Sequence, residues 1–299
     1  MSLFSGLSAF PATPTDVDGH VDAKHFSRLV ERLDVDGIAS IGVLGSTGGY
    51  VYLKPDERER AIAAAVDALS NTPVLAGVGA LTTNEVIANA NAAAKAGAKG
   101  LLLAPVSYLP LTDADVSGLV KDLAAATELP ICLYNNPGTT KFNFSETLLA
   151  ELSQISNVVA VKNPPAPEGD FSGQISRLRA STTNDFSLGY SGDAAISGAL
   201  LAGCDAWYSV LGGTLPDLAI EIWNARSDPS AVARLEKRLA PLWKLFTDHG
   251  SIRVIYEVVV MQGLGRAQLP RPLLPLDANV CEEIKKALTM LQNTETQAA

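Results

Sequence analysis

Cysteine is scarce in this chain of 299 residues, and no apolar run is long enough to cross a bilayer. The three cysteines, Cys132, Cys204 and Cys281, are odd in number and lack the spacing of metal ligands. This usage suits a reducing compartment. The N-terminus has no basic segment followed by a long apolar one, so we expect no signal peptide. The sequence therefore predicts a cytoplasmic protein with no membrane partner.

Basic residues and histidines are also few. The net charge is −9 and the sequence pI is about 4.9. Binding to a phosphate backbone needs a basic surface, so we expect no nucleic-acid partner. His20, His25 and His249 do not fall at strand ends with the spacing of metal ligands. This disfavours a metal-dependent barrel hydrolase, and we predict no metal site.

Short apolar runs alternate with helical patterns along most of the chain. Eight such pairs occur, the first strand at Leu7–Phe10 and the last at Ala206–Val210. That number is what a (β/α)8 TIM barrel requires. A doubly wound sheet rarely reaches eight strands, and no GxGxxG follows the first one. We predict an α/β barrel over residues 1–225 that carries the active site, and a C-terminal helical extension over residues 226–299.

The sixth predicted strand, Asn157–Asn163, is a β-branched apolar run with one lysine, Lys162, near its carboxyl end. Barrels place their active sites at this end of the strands. A desolvated amine has a lowered pKa and can attack a carbonyl carbon to form a Schiff base. On its own, however, a lysine at a strand end is more often one that reaches solvent.

Polar side chains follow several other strands at the same end of the barrel. Tyr134 ends the fifth strand, beside Lys162, and can move protons during imine formation. Ser46 and Thr47 lie in a glycine-flanked loop whose N–H groups suit a carboxylate. Tyr108 follows the fourth strand. Singly these residues fit ordinary packing or turns; their joint placement indicates a Schiff-base site.

The chain resembles the dihydrodipicolinate synthase / N-acetylneuraminate lyase family of pyruvate-dependent class I aldolases. The motifs occur in the family's order: Gly45–Gly48, Ala76–Gly79, Leu133–Gly138, Val159–Lys162 and Ser191–Asp193. The resemblance implies a Schiff base on Lys162, acid/base catalysis by Tyr134 and a carboxylate site in the first loop. It also implies a homo-oligomer, commonly a tetramer built from tight dimers, and no cofactor beyond the covalent imine.

The chain departs from the family pattern around the second substrate. Thr139 stands where true synthases have an arginine that grips the aldehyde's carboxylate, so a bidentate partner is lost. Gly49 replaces the family's glutamate. The second tyrosine, donated across a dimer interface, falls on Ser107, with Tyr108 one position late. Tyr208 is bulkier than the usual aliphatic residue and would narrow the pocket.

These features predict a lyase that forms a Schiff base with pyruvate or a related 2-keto acid. The reaction would be aldol cleavage or condensation, or dehydration of a keto-deoxy sugar acid. We expect catalysis by Lys162, Tyr134, Ser46 and Tyr108, and substrate binding by Thr47, Gly48, Thr139, Gly192 and Tyr208. Two alternatives remain open: 4-hydroxy-tetrahydrodipicolinate synthase, and a catalytically impaired keto-acid-binding protein.

Overall fold

Eight parallel strands close into a barrel in the order in which they occur along the chain. The computed structural model describes residues 3–265 and 267–296, with side chains through 291. The strands are β1 Gly6–Ala9, β2 Ile38–Val43, β3 Val74–Gly77, β4 Gly100–Leu103, β5 Ile131–Tyr134, β6 Val158–Asn163, β7 Ser187–Tyr190 and β8 Ala206–Ser209. The predicted (β/α)8 barrel is confirmed.

Helices follow the strands and cover the outside of the barrel. Those of the repeats are α1 Ala23–Glu31, α2 Pro55–Ala68, α3 Thr83–Lys95, α4 Asp113–Ala126, α5 Pro137–Thr140, α6 Glu146–Leu152, α7 Phe171–Ser181, α8 Ile196–Leu201 and α9 Pro216–Ala225. Three more follow: α10 Pro229–His249, α11 Ser251–Met261 and α12 Ala278–Thr296. The predicted C-terminal helical extension is therefore present.

Local sequence explains where several of these helices begin. Thr82 accepts a hydrogen bond from the N–H of Glu85, and the Glu85 side chain accepts one from the N–H of Thr82. This capping box satisfies N–H groups that lack partners within the helix. Thr112 and Asp115 repeat the arrangement before α4. In α2, Pro55 occupies the first turn, where its missing N–H costs nothing.

The strand register places the reactive side chains side by side. Tyr134 of β5 pairs with Lys162 of β6, and Lys162 pairs with Gly189 of β7. The barrel closes where β1 pairs with β8, with Ser8 opposite Tyr208. Because all eight strands are parallel, their carboxyl ends meet at one rim. The register thus gathers residues that are far apart in sequence at that rim.

The extension packs on the barrel through α10, which contacts α8 and α9. One face of α10 is buried, including Leu235, Leu239, Leu242 and Phe246. The division of the chain at residue 225 stays a prediction, since the junction between α10 and α11 also lines the cavity at the barrel rim. No helix in the described part of the chain combines the length and apolar character needed to cross a membrane.

Candidate active site

The side chain of Lys162 is only 3% exposed and ends among aromatic rings. Its Nζ lies 3.6 Å from the ring centroid of Phe10, 4.3 Å from that of Tyr134 and 5.6 Å from that of Tyr208. No carboxylate in the described ranges forms an ion pair with it. Burial therefore lowers the pKa of Lys162 from 10.5 to about 7, since the charged form loses its hydration. Near neutral pH a large fraction of this amine is uncharged and nucleophilic.

Tyr134 lies next to the amine and belongs to a small hydrogen-bonded cluster. Its hydroxyl is 3.4 Å from Oγ of Ser46. The amide of Asn136 donates to the Tyr134 hydroxyl at 3.1 Å and to Ser46 Oγ at 3.3 Å. Burial raises the pKa of Tyr134, so the phenol keeps its proton at neutral pH and can give it to a developing oxyanion.

The loop after β2, whose Ser46 and Thr47 line the cavity, carries backbone N–H groups without an acceptor in the part of the chain that the structure describes. Within the described residues, the N–H groups of Ser46, Thr47 and Gly48 have no hydrogen-bond acceptor. Gly48 lies in close packing, because a Cβ there would lie 3.0 Å from the backbone N of Leu44 and 3.1 Å from Thr13 Oγ1. Successive free N–H groups in a tight loop form a concavity that suits an anion such as a carboxylate.

Asp193 supplies a buried carboxylate beneath the rim. Trp207 Nε1 donates to one oxygen at 2.9 Å, and the N–H of Leu211 donates to the other at 2.6 Å. Burial raises the pKa of Asp193 to about 6, opposed by these donors and by the positive charge of Lys162. Its neighbour Gly192 has φ +87° and lines the cavity, as the sequence analysis expected of a binding residue.

Tyr208 lies on the floor of the cavity and is fully buried. The Cys132 thiol donates to its hydroxyl at 3.5 Å. Its ring meets that of Phe10 edge to face, with centroids 5.8 Å apart. Burial raises the pKa values of both Tyr208 and Cys132, so both are neutral in the folded protein at neutral pH.

These groups line one cavity of about 610 Å³ at the barrel rim. Thr139 is exposed there, and its hydroxyl donates to the carbonyl of Asn136 at 3.3 Å. Arg253, from the start of α11, lines the same cavity. Its side chain makes no hydrogen bond or ion pair within the ranges that the structure covers. A cation from the extension therefore contributes to the site.

The structure gathers most of the predicted site residues and leaves one apart. Lys162, Tyr134, Ser46, Thr47, Thr139, Gly192 and Tyr208 all line the cavity, while Gly48 shapes the loop beneath it. Tyr108 is 92% exposed and does not line the cavity of its own chain. A catalytic role for it within the same chain is not supported by this arrangement.

Four contributors were missed by the sequence analysis. Asn136 and Asp193 lie inside the family's motifs. Their polar side chains at strand ends are the feature of the sequence that indicates a place in the site. Phe10 ends the first predicted strand, where an aromatic residue normally indicates packing. The sequence does not indicate that Arg253 belongs to the site, because its position depends on how the C-terminal extension packs on the barrel.

Comparison with known proteins gives a consistent result. Residues 3–291 match the model of the dihydrodipicolinate synthetase family. A 4-hydroxy-tetrahydrodipicolinate synthase from Salinibacter ruber is 33% identical over 280 residues, which cover 92% of this chain and 91% of the relative. The corresponding enzyme from Methanothrix thermoacetophila is 31% identical and covers 97% and 98%. The crystal structure of a dihydrodipicolinate synthase from Agrobacterium tumefaciens superposes with a TM-score of 0.95 at 46% identity, covering 97% and 98%.

Burial of the Lys162 amine has a measurable cost in stability. Its folded pKa of about 7 lies below the ordinary 10.5, so between these values the unfolded chain binds more protons and stability rises with pH. We expect Lys162→Met to raise the free energy of unfolding by about 2–4 kcal/mol at pH 7, and by much less near pH 10. Urea unfolding at both pH values measures this.

The control is Lys99→Met, because Lys99 is exposed and has the same chemistry. It should change stability by no more than about 0.5 kcal/mol at either pH. An equal response of the two variants would show that the Lys162 amine is not desolvated.

Proposed function

The chain belongs to the dihydrodipicolinate synthetase family, and we propose that Lys162 is the residue through which it forms a Schiff base with pyruvate or a related 2-keto acid. Members of this family are lyases of the class I aldolase type, and their covalent imine needs no external cofactor. The observation that carries the assignment is the buried amine, with a pKa near neutrality and the Tyr134 phenol beside it.

In the proposed reaction, the lone pair of Lys162 Nζ attacks the ketone carbon, and Tyr134 protonates the oxygen as it becomes negative. The positive nitrogen of the resulting carbinolamine returns one proton to Tyr134, which gives it to the departing hydroxyl, so that water leaves and a protonated imine remains. Its nitrogen then withdraws electrons from the neighbouring carbon, which allows carbon–carbon bonds or a carbon–oxygen bond nearby to form or break. Ser46 and Asn136 hold the phenol in place through their contacts of 3.4 Å and 3.1 Å.

The carboxylate of the keto acid has a matching site in the loop after β2. The free N–H groups of Ser46, Thr47 and Gly48 would donate to its oxygens. This loop lies within reach of Tyr134, as the contact between Ser46 and that phenol demonstrates. One end of the substrate is thus held while the ketone meets the amine.

The direct test is chemical trapping of the imine. We expect incubation with pyruvate and sodium borohydride to leave a reduced pyruvyl group on Lys162, located by mass spectrometry of the digested protein. The exposed Lys99 should remain unmodified, and Lys162→Arg should remove the adduct. Failure to modify Lys162 at any pH between 7 and 9 would end this assignment.

The residues of the site define the second substrate less narrowly than they define the keto acid. With Thr139 in place of the synthase arginine, we propose that the enzyme acts on an aldehyde other than aspartate semialdehyde, or on a keto-deoxy sugar acid by cleavage or dehydration. The names of the relatives favour the other candidate, 4-hydroxy-tetrahydrodipicolinate synthase. Arg253 also supports that candidate, since it offers a cation to the aldehyde's carboxylate from a different element.

Assay of the unmodified protein with pyruvate and aspartate semialdehyde separates these candidates. We expect turnover about 10-fold to 150-fold below that of Thr139→Arg, because a bidentate carboxylate contact is typically worth about 1.5–3 kcal/mol. Thr139→Lys is the matched control, as it restores charge without the planar fork. Efficient turnover by the unmodified protein would show that Thr139 does not exclude this substrate.

A keto-acid-binding protein without turnover is a third candidate. The exposure of Tyr108 favours it, since a chain whose second tyrosine stays outside the site has an incomplete proton relay. Imine trapping without product from any keto acid, in a panel of aldehydes and keto-deoxy sugar acids, would support this candidate. Product formation would exclude it.

We also propose a homo-oligomer, a dimer or tetramer, in which Tyr108 enters the site of a neighbouring copy. Tyr108 is 92% and Leu109 68% exposed, an unusual amount of apolar surface for one loop. Sedimentation equilibrium should give a mass of at least twice the 31.3 kDa of one chain. A monomer with full activity would contradict the proposal. We place the protein in the cytoplasm, where its three free cysteines would stay reduced.

A further inference from the structure

The cation that forms on Lys162 has aromatic faces where a counter-ion would be expected. Of the three rings around Nζ, Phe10 is the nearest, with its centroid at 3.6 Å. Isolated buried charges are costly unless they are paired or hydrogen-bonded. Schiff-base formation nevertheless requires positive charge on this nitrogen, so the site must stabilise it by other means.

Glycines in the barrel leave the space that Phe10 occupies. A Cβ on Gly42 would lie 2.2 Å from the Phe10 ring, and a Cβ on Gly45 would lie 2.8 Å from it. On the other side, a Cβ on Gly213 would lie 2.4 Å from the Phe10 backbone. The absence of side chains at Gly42 and Gly45 leaves room for the ring, and its absence at Gly213 leaves room for the backbone that carries it. Tyr208 fixes it from the side through the edge-to-face contact.

The titratable groups that face the Lys162 amine do not stabilise its positive charge in place of the Phe10 ring. Cys132 from β5 has its pKa raised to about 12 by burial and is neutral, and the phenols of Tyr134 and Tyr208 are neutral as well. Asp193, after β7, attracts the Lys162 charge, but its oxygens are held by Trp207 and by the Leu211 and Ser209 donors. Of the three ring faces around the amine, each of which carries negative electrostatic potential, that of Phe10 is the nearest.

We propose that Phe10 stabilises the positive nitrogen of Lys162 during imine formation through a cation–π interaction. The inference rests on the proposed Schiff-base function and adds a catalytic residue to it. A cation within about 6 Å of a ring centroid is attracted by the ring quadrupole, and more strongly when it is desolvated. The interaction favours the charged nitrogen over the neutral amine from which it forms.

The step that benefits is loss of water from the carbinolamine. The nitrogen lone pair forms the second bond to carbon, the carbon–oxygen bond breaks, and the oxygen leaves as water with a proton from Tyr134. The nitrogen keeps one hydrogen and gains a positive charge 3.6 Å from the Phe10 centroid in the starting geometry. The transition state of this step carries part of that charge and is stabilised in proportion.

Replacement of Phe10 by 3,4,5-trifluorophenylalanine tests the inference, because fluorine weakens the negative ring face with little change in shape. We expect the rate of pyruvate imine formation on the pH plateau to fall about 3-fold to 30-fold, the range of a cation–π contribution. The acid limb of the pH profile should move to lower pH by about 0.4–1.5, since the ammonium of the free enzyme loses the same stabilisation. Rapid-quench borohydride trapping over pH 5–9 measures both.

The matched control is the same substitution at Phe26, which is buried in α1. It should change neither the rate nor the profile. A second variant, Phe10→Leu, keeps an apolar side chain without a ring and should shift the acid limb in the same direction. An unchanged profile in both Phe10 variants, with Lys162 still trapped in the unmodified protein, would overturn the inference while leaving the Schiff-base assignment standing. No trapping in the unmodified protein would overturn both.

Discussion

Removal of the Lys162 amine from water is the constraint on which the rest of the site depends. An amine in solvent would be protonated at neutral pH and unable to attack a carbonyl, whereas here burial brings its pKa to about 7. The fold must tolerate this unfavourable burial. It does so with a closed barrel whose interior is mainly apolar and with aromatic rings around the nitrogen.

The barrel makes the arrangement geometrically stable. Tyr134 and Lys162 are register partners on neighbouring strands, so their Cα atoms stay adjacent as long as the ladder between β5 and β6 is intact. Ser46 reaches Tyr134 from β2, across the barrel mouth, and Asn136 joins both. The polar cluster therefore links the second and fifth repeats. A rigid scaffold of this kind holds catalytic groups in place at no further entropic cost when substrate binds.

Much of this arrangement could be predicted from the sequence. The residues whose roles could not be predicted from it share a common reason. The alternation of apolar runs and helical patterns was sufficient for the barrel, and Lys162 and Tyr134 stood out as reactive residues at strand ends. Phe10 did not stand out, because an aromatic residue after a strand normally indicates packing. Its role depends on a distance to a nitrogen 152 positions away in the chain, which only barrel closure sets. The position of Arg253 likewise depends on the docking of α11, and the role that we propose for Tyr108 depends on a second copy of the chain.

The central claim is that one buried amine is largely uncharged near neutral pH. Its most direct test is an NMR titration of protein labelled with ¹³Cε-lysine, with the Lys162 signal assigned by its absence from Lys162→Arg. The account predicts a midpoint for Lys162 at about pH 7. A midpoint near the ordinary 10.5 would contradict it, because the amine would then be solvated and protonated whenever the enzyme meets its substrate.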